Sequence, residues 1–123
     1  MRVFVYGTLK SGGGNNYLLK QGELIGEYRT PPKYALYDLG LFPAMLDTNE
    51  GVSVHGEVWQ VPTKTVDLLD QLESVPVLYN RSTIKCGKYG TCHVYFMKRA
   101  VMDNMFFGLN KPIPIKHGVW GND

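Results

Sequence analysis

The stretch VSVHGEVWQVPTKTVDLLDQLE, residues 52–73, decides the fold class. Its first half, Val52–Val61, is dense in β-branched and aromatic residues, which suit a pleated, half-buried surface. Pro62-Thr63 then stops the strand and starts a helix, because proline presets φ and its missing N–H has no partner to lose in a first turn. Val66, Leu68, Leu69 and Leu72 fall on one arc at about 100° per residue, so a helix is predicted through about Glu73. A strand feeding a helix makes the chain a mixed α+β protein.

Working outward, the flanking segments read mostly as strands. Arg2–Tyr6 is apolar on both faces, as in a fully buried strand. Ser11–Gly14 forms a glycine-rich loop, and Asn15 or Asn16 caps a short helix ending near Gly22. Glu23–Arg29 is a strand stopped by Pro31-Pro32, and Lys33–Asp38 is another, followed by a turn at Gly40-Leu41-Phe42-Pro43. Ser82–Cys86 and Thr91–Met97 bracket GKYG as a hairpin. The tail after about residue 110, with Pro112 and Pro114, reads as irregular. No repeat or linker interrupts residues 1–123, which are expected to form a single domain.

Charge excludes some partners. With 13 basic and 11 acidic residues the net charge is +2, and no basic run exceeds Lys98-Arg99. Neither nucleic acid nor a membrane surface is an expected partner. No apolar stretch approaches the ~20 residues that cross a bilayer. The apolar start is too short for a signal peptide, so the cytoplasm is the expected compartment. Cys86 and Cys92 form either a cross-hairpin disulfide or two free thiols, and a chain with no secretion signal favours thiols. Their spacing fits no zinc site, and His55, His93 and His117 show no ligand spacing, so no metal is predicted. Oligomeric state is not set by these features.

Two places carry chemistry. Glu73 lies seven residues after Val66 and four after Leu69, on the core side of the helix, while Asp70 is marginal. A carboxylate there is desolvated and faces the negative end of the helix dipole, and both effects raise its pKa toward the range a proton carrier needs. The alternative is a frayed last turn with Glu73 in water. The second place is Tyr6-Gly7-Thr8-Leu9-Lys10. A phosphate loop starting at Gly7 would need lysine where Gly13 stands, and a dinucleotide fingerprint starting at Gly12 meets Tyr17 in place of its last glycine. What remains is either a tight turn or a strand end at which Gly7, free to take unusual φ/ψ, aims N–H groups at an anion. Lys10 and Arg81 are single basic residues near these two places.

The blocks VFVYGTLK, GLFPAML, HGEVWQV and LLDQLESVPVLYNRSTI, in this order, resemble the gamma-glutamyl cyclotransferase-like superfamily, most closely its short gamma-glutamylamine cyclotransferases. The most specific block places an acid, Pro76, Tyr79 and Arg81 in register. Many members have glycine after the acid, where this chain has Ser74, as in the gamma-glutamylamine type. The resemblance covers residues 3 to about 84.

That resemblance implies a small mixed β-barrel with peripheral helices, a single catalytic acid at Glu73, and a substrate loop at Tyr6, Gly7, Thr8 and Leu9. It implies no metal and no organic cofactor. The implied partner is a small-molecule gamma-glutamyl amide such as gamma-glutamyl-ε-lysine. The substrate's own α-amine attacks its γ-carbonyl, giving 5-oxoproline and a free amine, with Glu73 as base and then acid. The loop amides bind either the α-carboxylate or the oxyanion, and Tyr79 is either a pocket hydroxyl or a core residue. Two alternatives stand beside this reading: a non-catalytic module that binds a gamma-glutamyl or carboxylate ligand on the same fold, and an interaction protein with an unrelated ligand.

Overall fold

The computed structural model describes residues 1–106 and 111–121. Its larger sheet has the order β2 (Glu23–Arg29), β5 (His55–Gln60), β1 (Arg2–Val5), β7 (Thr91–Phe96), β6 (Asn80–Lys85). A smaller sheet orders β4 (Pro43–Leu46), β3 (Ala35–Asp38) and β8 (Ile113–Pro114). Helix α1 spans Thr63–Leu72 and α2 spans Arg99–Met105, with a 3₁₀ turn at Asn16–Leu19.

Strand β1 is central because it is apolar on both faces. Val3 and Val5 enter the core shared with Val66 and Leu69 of α1, while Phe4 and Tyr6 enter a second cluster with Leu36, Met45 and Val58. It pairs antiparallel with β5 (Phe4 opposite Val58) and parallel with β7 (Val3 opposite His93). Full burial of Val66 and Leu69 stabilises the docked helix by roughly 1.5–3 kcal/mol per side chain.

Several sequence expectations need correction. The two sheets do not close into a barrel. The Met97 N–H donates to the Met45 carbonyl at 2.9 Å, and Tyr34 bridges Val52, but among the described residues no ladder joins the sheets. Pro43–Leu46 is a buried strand, not only a turn; Pro43 is tolerated because it occupies the first strand position. The strand expected over Val52–Val61 is shorter, His55–Gln60, with Val52 held only by the Tyr34 bridge. Helix α2 was not foreseen, and Ile113–Pro114 gives the supposedly irregular tail a short strand on β3.

The apolar arc of α1 is also narrower than its sequence suggested. Leu68 and Leu72 are 49% and 39% exposed, and the buried face is Thr65, Val66 and Leu69. Asn15 does not cap the 3₁₀ turn with its side chain; its Nδ2 donates to Thr8 Oγ1 at 2.9 Å. Cys86 and Cys92 are buried free thiols.

Candidate active site

Glu73 owes its position to how α1 ends. The Val75 N–H returns to the Asp70 carbonyl at 3.0 Å and the Ser74 N–H to the Gln71 carbonyl at 3.1 Å, the pair of bonds that closes a Schellman motif. That motif needs a left-handed residue just past the cap, and Ser74 supplies it with φ of 51°. The position is the one where serine stands in place of glycine. With the last turn closed, Glu73 stays in register with Val66 and Leu69 and its side chain faces inward rather than fraying into water.

Its carboxylate borders a narrow cleft of about 40 Å³. Tyr6, Gly7, Thr8 and Leu9 form one wall, Phe42 and Pro43 a second, and Tyr79 and Tyr95 a third. The strand-end loop and Glu73, distant in sequence, therefore meet in one place. Burial pushes the Glu73 carboxyl up to about 7. Among the described residues no hydrogen-bond donor or cation pairs with it, so nothing offsets the desolvation of its charged form.

The tyrosines around Glu73 are committed elsewhere. Tyr6 OH donates to the Tyr95 carbonyl at 2.6 Å and accepts the Met45 N–H at 3.2 Å. Tyr79 OH donates to the Pro43 carbonyl at 2.7 Å, and Tyr95 OH donates to Asp70 Oδ1 at 2.7 Å. Burial raises all three phenols above their ordinary value, reinforced by Tyr79 and Glu73 at Tyr6, by Glu73 at Tyr79 and chiefly by Asp70 at Tyr95, so they stay protonated. Tyr79 is thus both a cleft residue and a core anchor, its proton fixing the start of β4.

The loop wall has an asymmetric backbone. The carbonyls of Gly7 and Thr8 accept the N–H groups of Lys10 and Asn15, both at 3.0 Å. The Leu9 carbonyl accepts Asn16 Nδ2 at 2.8 Å. The N–H groups of Gly7, Thr8 and Leu9 meet no acceptor among the described residues. A loop whose carbonyls are occupied and whose amides are open presents positive potential, which suits an anion. The reason for glycine at Gly7 differs from the one expected. Its φ is not left-handed; a Cβ there would lie 2.6 Å from Pro43 Cγ and 2.7 Å from Pro43 Cδ. Close packing of β4 against the loop, not an unusual φ, excludes a side chain.

Lys10 and Arg81 lie outside the cleft wall. Lys10 Nζ donates to the Trp120 carbonyl at 2.8 Å, and Arg81 Nε pairs with Asp70 Oδ1 at 3.0 Å. Tyr95, Phe42 and Pro43 were missed from sequence. Tyr95 falls in the alternating run TCHVYF, where any aromatic reads as core. Among the described residues no group of three or more His, Cys, Asp or Glu could hold a metal ion, and no helix is long and apolar enough to cross a membrane.

Comparison with known proteins places this geometry in context. Residues 3–122 match the family model described as gamma-glutamyl cyclotransferase, AIG2-like. A Vibrio cholerae serotype O1 protein provisionally named a gamma-glutamylcyclotransferase is 47% identical over 93 residues, 76% of this chain and 78% of that one. Gamma-glutamylaminecyclotransferase A of Danio rerio is 37% identical over 93 residues, 69% of this chain and 58% of that one. The solution structure of protein ytfP from Escherichia coli superposes with a TM-score of 0.71 at 33% identity, covering 98% of this chain and 96% of that one.

Proposed function

This chain belongs to the gamma-glutamyl cyclotransferase, AIG2-like family, and we propose that it cleaves a gamma-glutamyl amide to 5-oxoproline and a free amine with Glu73 as the proton carrier. The observation that carries the reading is the half-buried Glu73 carboxyl, pushed up to about 7, sharing one cleft with the open amides of Gly7–Leu9.

Each step uses a group already in the cleft. Ionised Glu73 takes a proton from the substrate's α-ammonium, and the freed amine attacks the γ-carbonyl carbon of the same molecule. A C–N bond closes the five-membered ring and the carbonyl oxygen becomes an oxyanion. Glu73 then returns the proton to the leaving nitrogen as the original C–N bond breaks and the carbonyl re-forms, and the ring nitrogen gives up its second proton, which ends on the released amine as its ammonium form. A carboxyl that titrates near neutrality can act in both directions. Nucleophile and electrophile share a molecule, so holding the folded conformer supplies much of the acceleration; effective molarities of ~10⁵–10⁸ M are known for well-aligned cases. The open amides bind an anion, either the α-carboxylate or the oxyanion.

The gamma-glutamylamine type, with gamma-glutamyl-ε-lysine as substrate, is the proposed specificity. Its support is Ser74 after the acid and the likeness to the Danio rerio protein. Assaying 5-oxoproline release from a panel of gamma-glutamyl amides tests it. We expect turnover by the unmodified chain, greatest with gamma-glutamyl-ε-lysine, and loss of turnover in Glu73→Gln with the fold intact. A Glu73→Gln chain that releases 5-oxoproline at the native rate overturns the assignment. Ligand binding without turnover by the unmodified chain favours the non-catalytic module.

A further inference from the structure

Behind the cleft wall runs a chain of polar side chains that the reaction scheme leaves unused. Tyr95, on β7, gives its hydroxyl proton to Asp70 Oδ1 at 2.7 Å. The same oxygen takes the Arg81 Nε–H from β6 at 3.0 Å, and the two side chains are 30% (Arg81) and 25% (Asp70) exposed. Arg81 Nη1 lies 3.1 Å from His93 Nδ1 on β7. A guanidinium only donates, so this ring nitrogen accepts and the imidazole proton sits on Nε2. Burial first, then the Arg81 charge, holds His93 below its ordinary value, so the ring stays neutral and able to accept near pH 7.

We propose that Arg81 is a positioning residue for the cleft: through Asp70 it commits the Tyr95 hydroxyl proton away from Glu73 and cancels the carboxylate charge one turn before Glu73 on α1. The proposal rests on the reading of Glu73 as the proton carrier. Asp70 and Glu73 are three residues apart at one helix end, a spacing that brings Cβ atoms to about 5–6 Å in a regular turn. Tyr95 reports the shared neighbourhood. After burial, its phenol is raised by Asp70 and Glu73 and lowered by Arg81.

The other groups facing Glu73 are accounted for. Tyr6, at the end of β1, and Tyr79, before β6, give their protons to the Tyr95 and Pro43 carbonyls, and residues 7–9 carry no titratable side chain. The paired charges of Asp70 and Arg81 are therefore the balance that can tip the Glu73 proton. An unpaired Asp70 would favour protonated Glu73; an unpaired Arg81 would favour the carboxylate.

The signs of the effects make the test. Carboxyl ¹³C resonances are followed through a pH titration in the intact chain, with Glu73 assigned by its loss in Glu73→Gln. We expect the Glu73 midpoint to rise in Arg81→Gln and fall in Asp70→Asn, each by on the order of one pH unit, and to return near the unmodified value in the double variant. Arg81→Lys, which keeps the charge, should restore most of the Arg81→Gln shift. A purely structural role would lower melting temperature without moving the two midpoints in opposite directions. An unchanged midpoint in folded Arg81→Gln, or shifts of the same sign in both single variants, overturns the proposal. Should Arg81→Gln not fold, an unmoved or raised midpoint in Asp70→Asn overturns it, and a lowered one supports it. The titration uses no substrate, so its outcome is separate from any failure of the catalytic reading, which the 5-oxoproline assay decides.

Discussion

Two carboxylates sit one turn apart at the end of α1, and their surroundings could hardly differ more. Asp70 is met by a guanidinium at 3.0 Å and a phenol at 2.7 Å. Glu73 is half-buried with no donor or cation against it among the described residues, and its carboxyl is pushed up to about 7. Partners sort the two acids more than residue type does. The paired acid organises the wall of the cleft, and the unpaired one can exchange a proton near neutral pH.

The largest effect that can break this contrast is on turnover. Glu73→Gln keeps the shape and removes the titration, and a loss of at least about 10²–10⁴-fold in 5-oxoproline release is expected for a general acid–base residue. Asp70→Asn should keep measurable turnover, because the amide oxygen can still accept the Tyr95 proton. Equal losses in the two variants would erase the distinction.

Stability offers the next test, and its sign is opposite to that of a paired acid. The folded Glu73 binds its proton more tightly than the unfolded chain does. Between about pH 4.5 and 7 the native state therefore holds more protons, and stability from this group falls as pH rises. Glu73→Gln should be more stable than the unmodified chain at pH 8, on the order of 1–3 kcal/mol, with the advantage gone by pH 4. Thermal unfolding at the two pH values measures it. No gain at pH 8 would mean that Glu73 is solvated.

Smaller effects test the supports. Tyr79→Phe leaves the Pro43 carbonyl without its donor and should cost about 1–2 kcal/mol in denaturant unfolding. Ser74→Gly relieves the left-handed φ of 51° that closes α1 beneath Glu73. A gain of up to about 1 kcal/mol is expected, with turnover retained. A loss of stability there would contradict the account of the helix end.

Much of this arrangement was legible in the sequence where one local pattern dictated it. Glu73 could be placed from its spacing to Val66 and Leu69, and β1 from an apolar run on both faces. The roles of Gly7 and Tyr95 were not legible, because they depend on segments far away in the chain: Pro43 approaching Gly7, and Asp70 receiving the Tyr95 proton. Strand β4 was missed because four residues beginning with proline carry almost no periodicity, and its identity comes from pairing with β3. Leu68 and Leu72 were assigned to the buried arc because periodicity finds an apolar face but not how much of it a neighbour covers. Barrel closure failed for a related reason, since it needs a ladder between the two sheets that no local pattern encodes.

The most direct measurement is the titration of the Glu73 carboxyl in the unmodified chain, by ¹³C resonance from pH 3 to 9. A midpoint near 7 is the result this account predicts. A midpoint in the ordinary carboxylate range, about 4.3, would contradict it, because Glu73 would then be too weak a base to carry the proton.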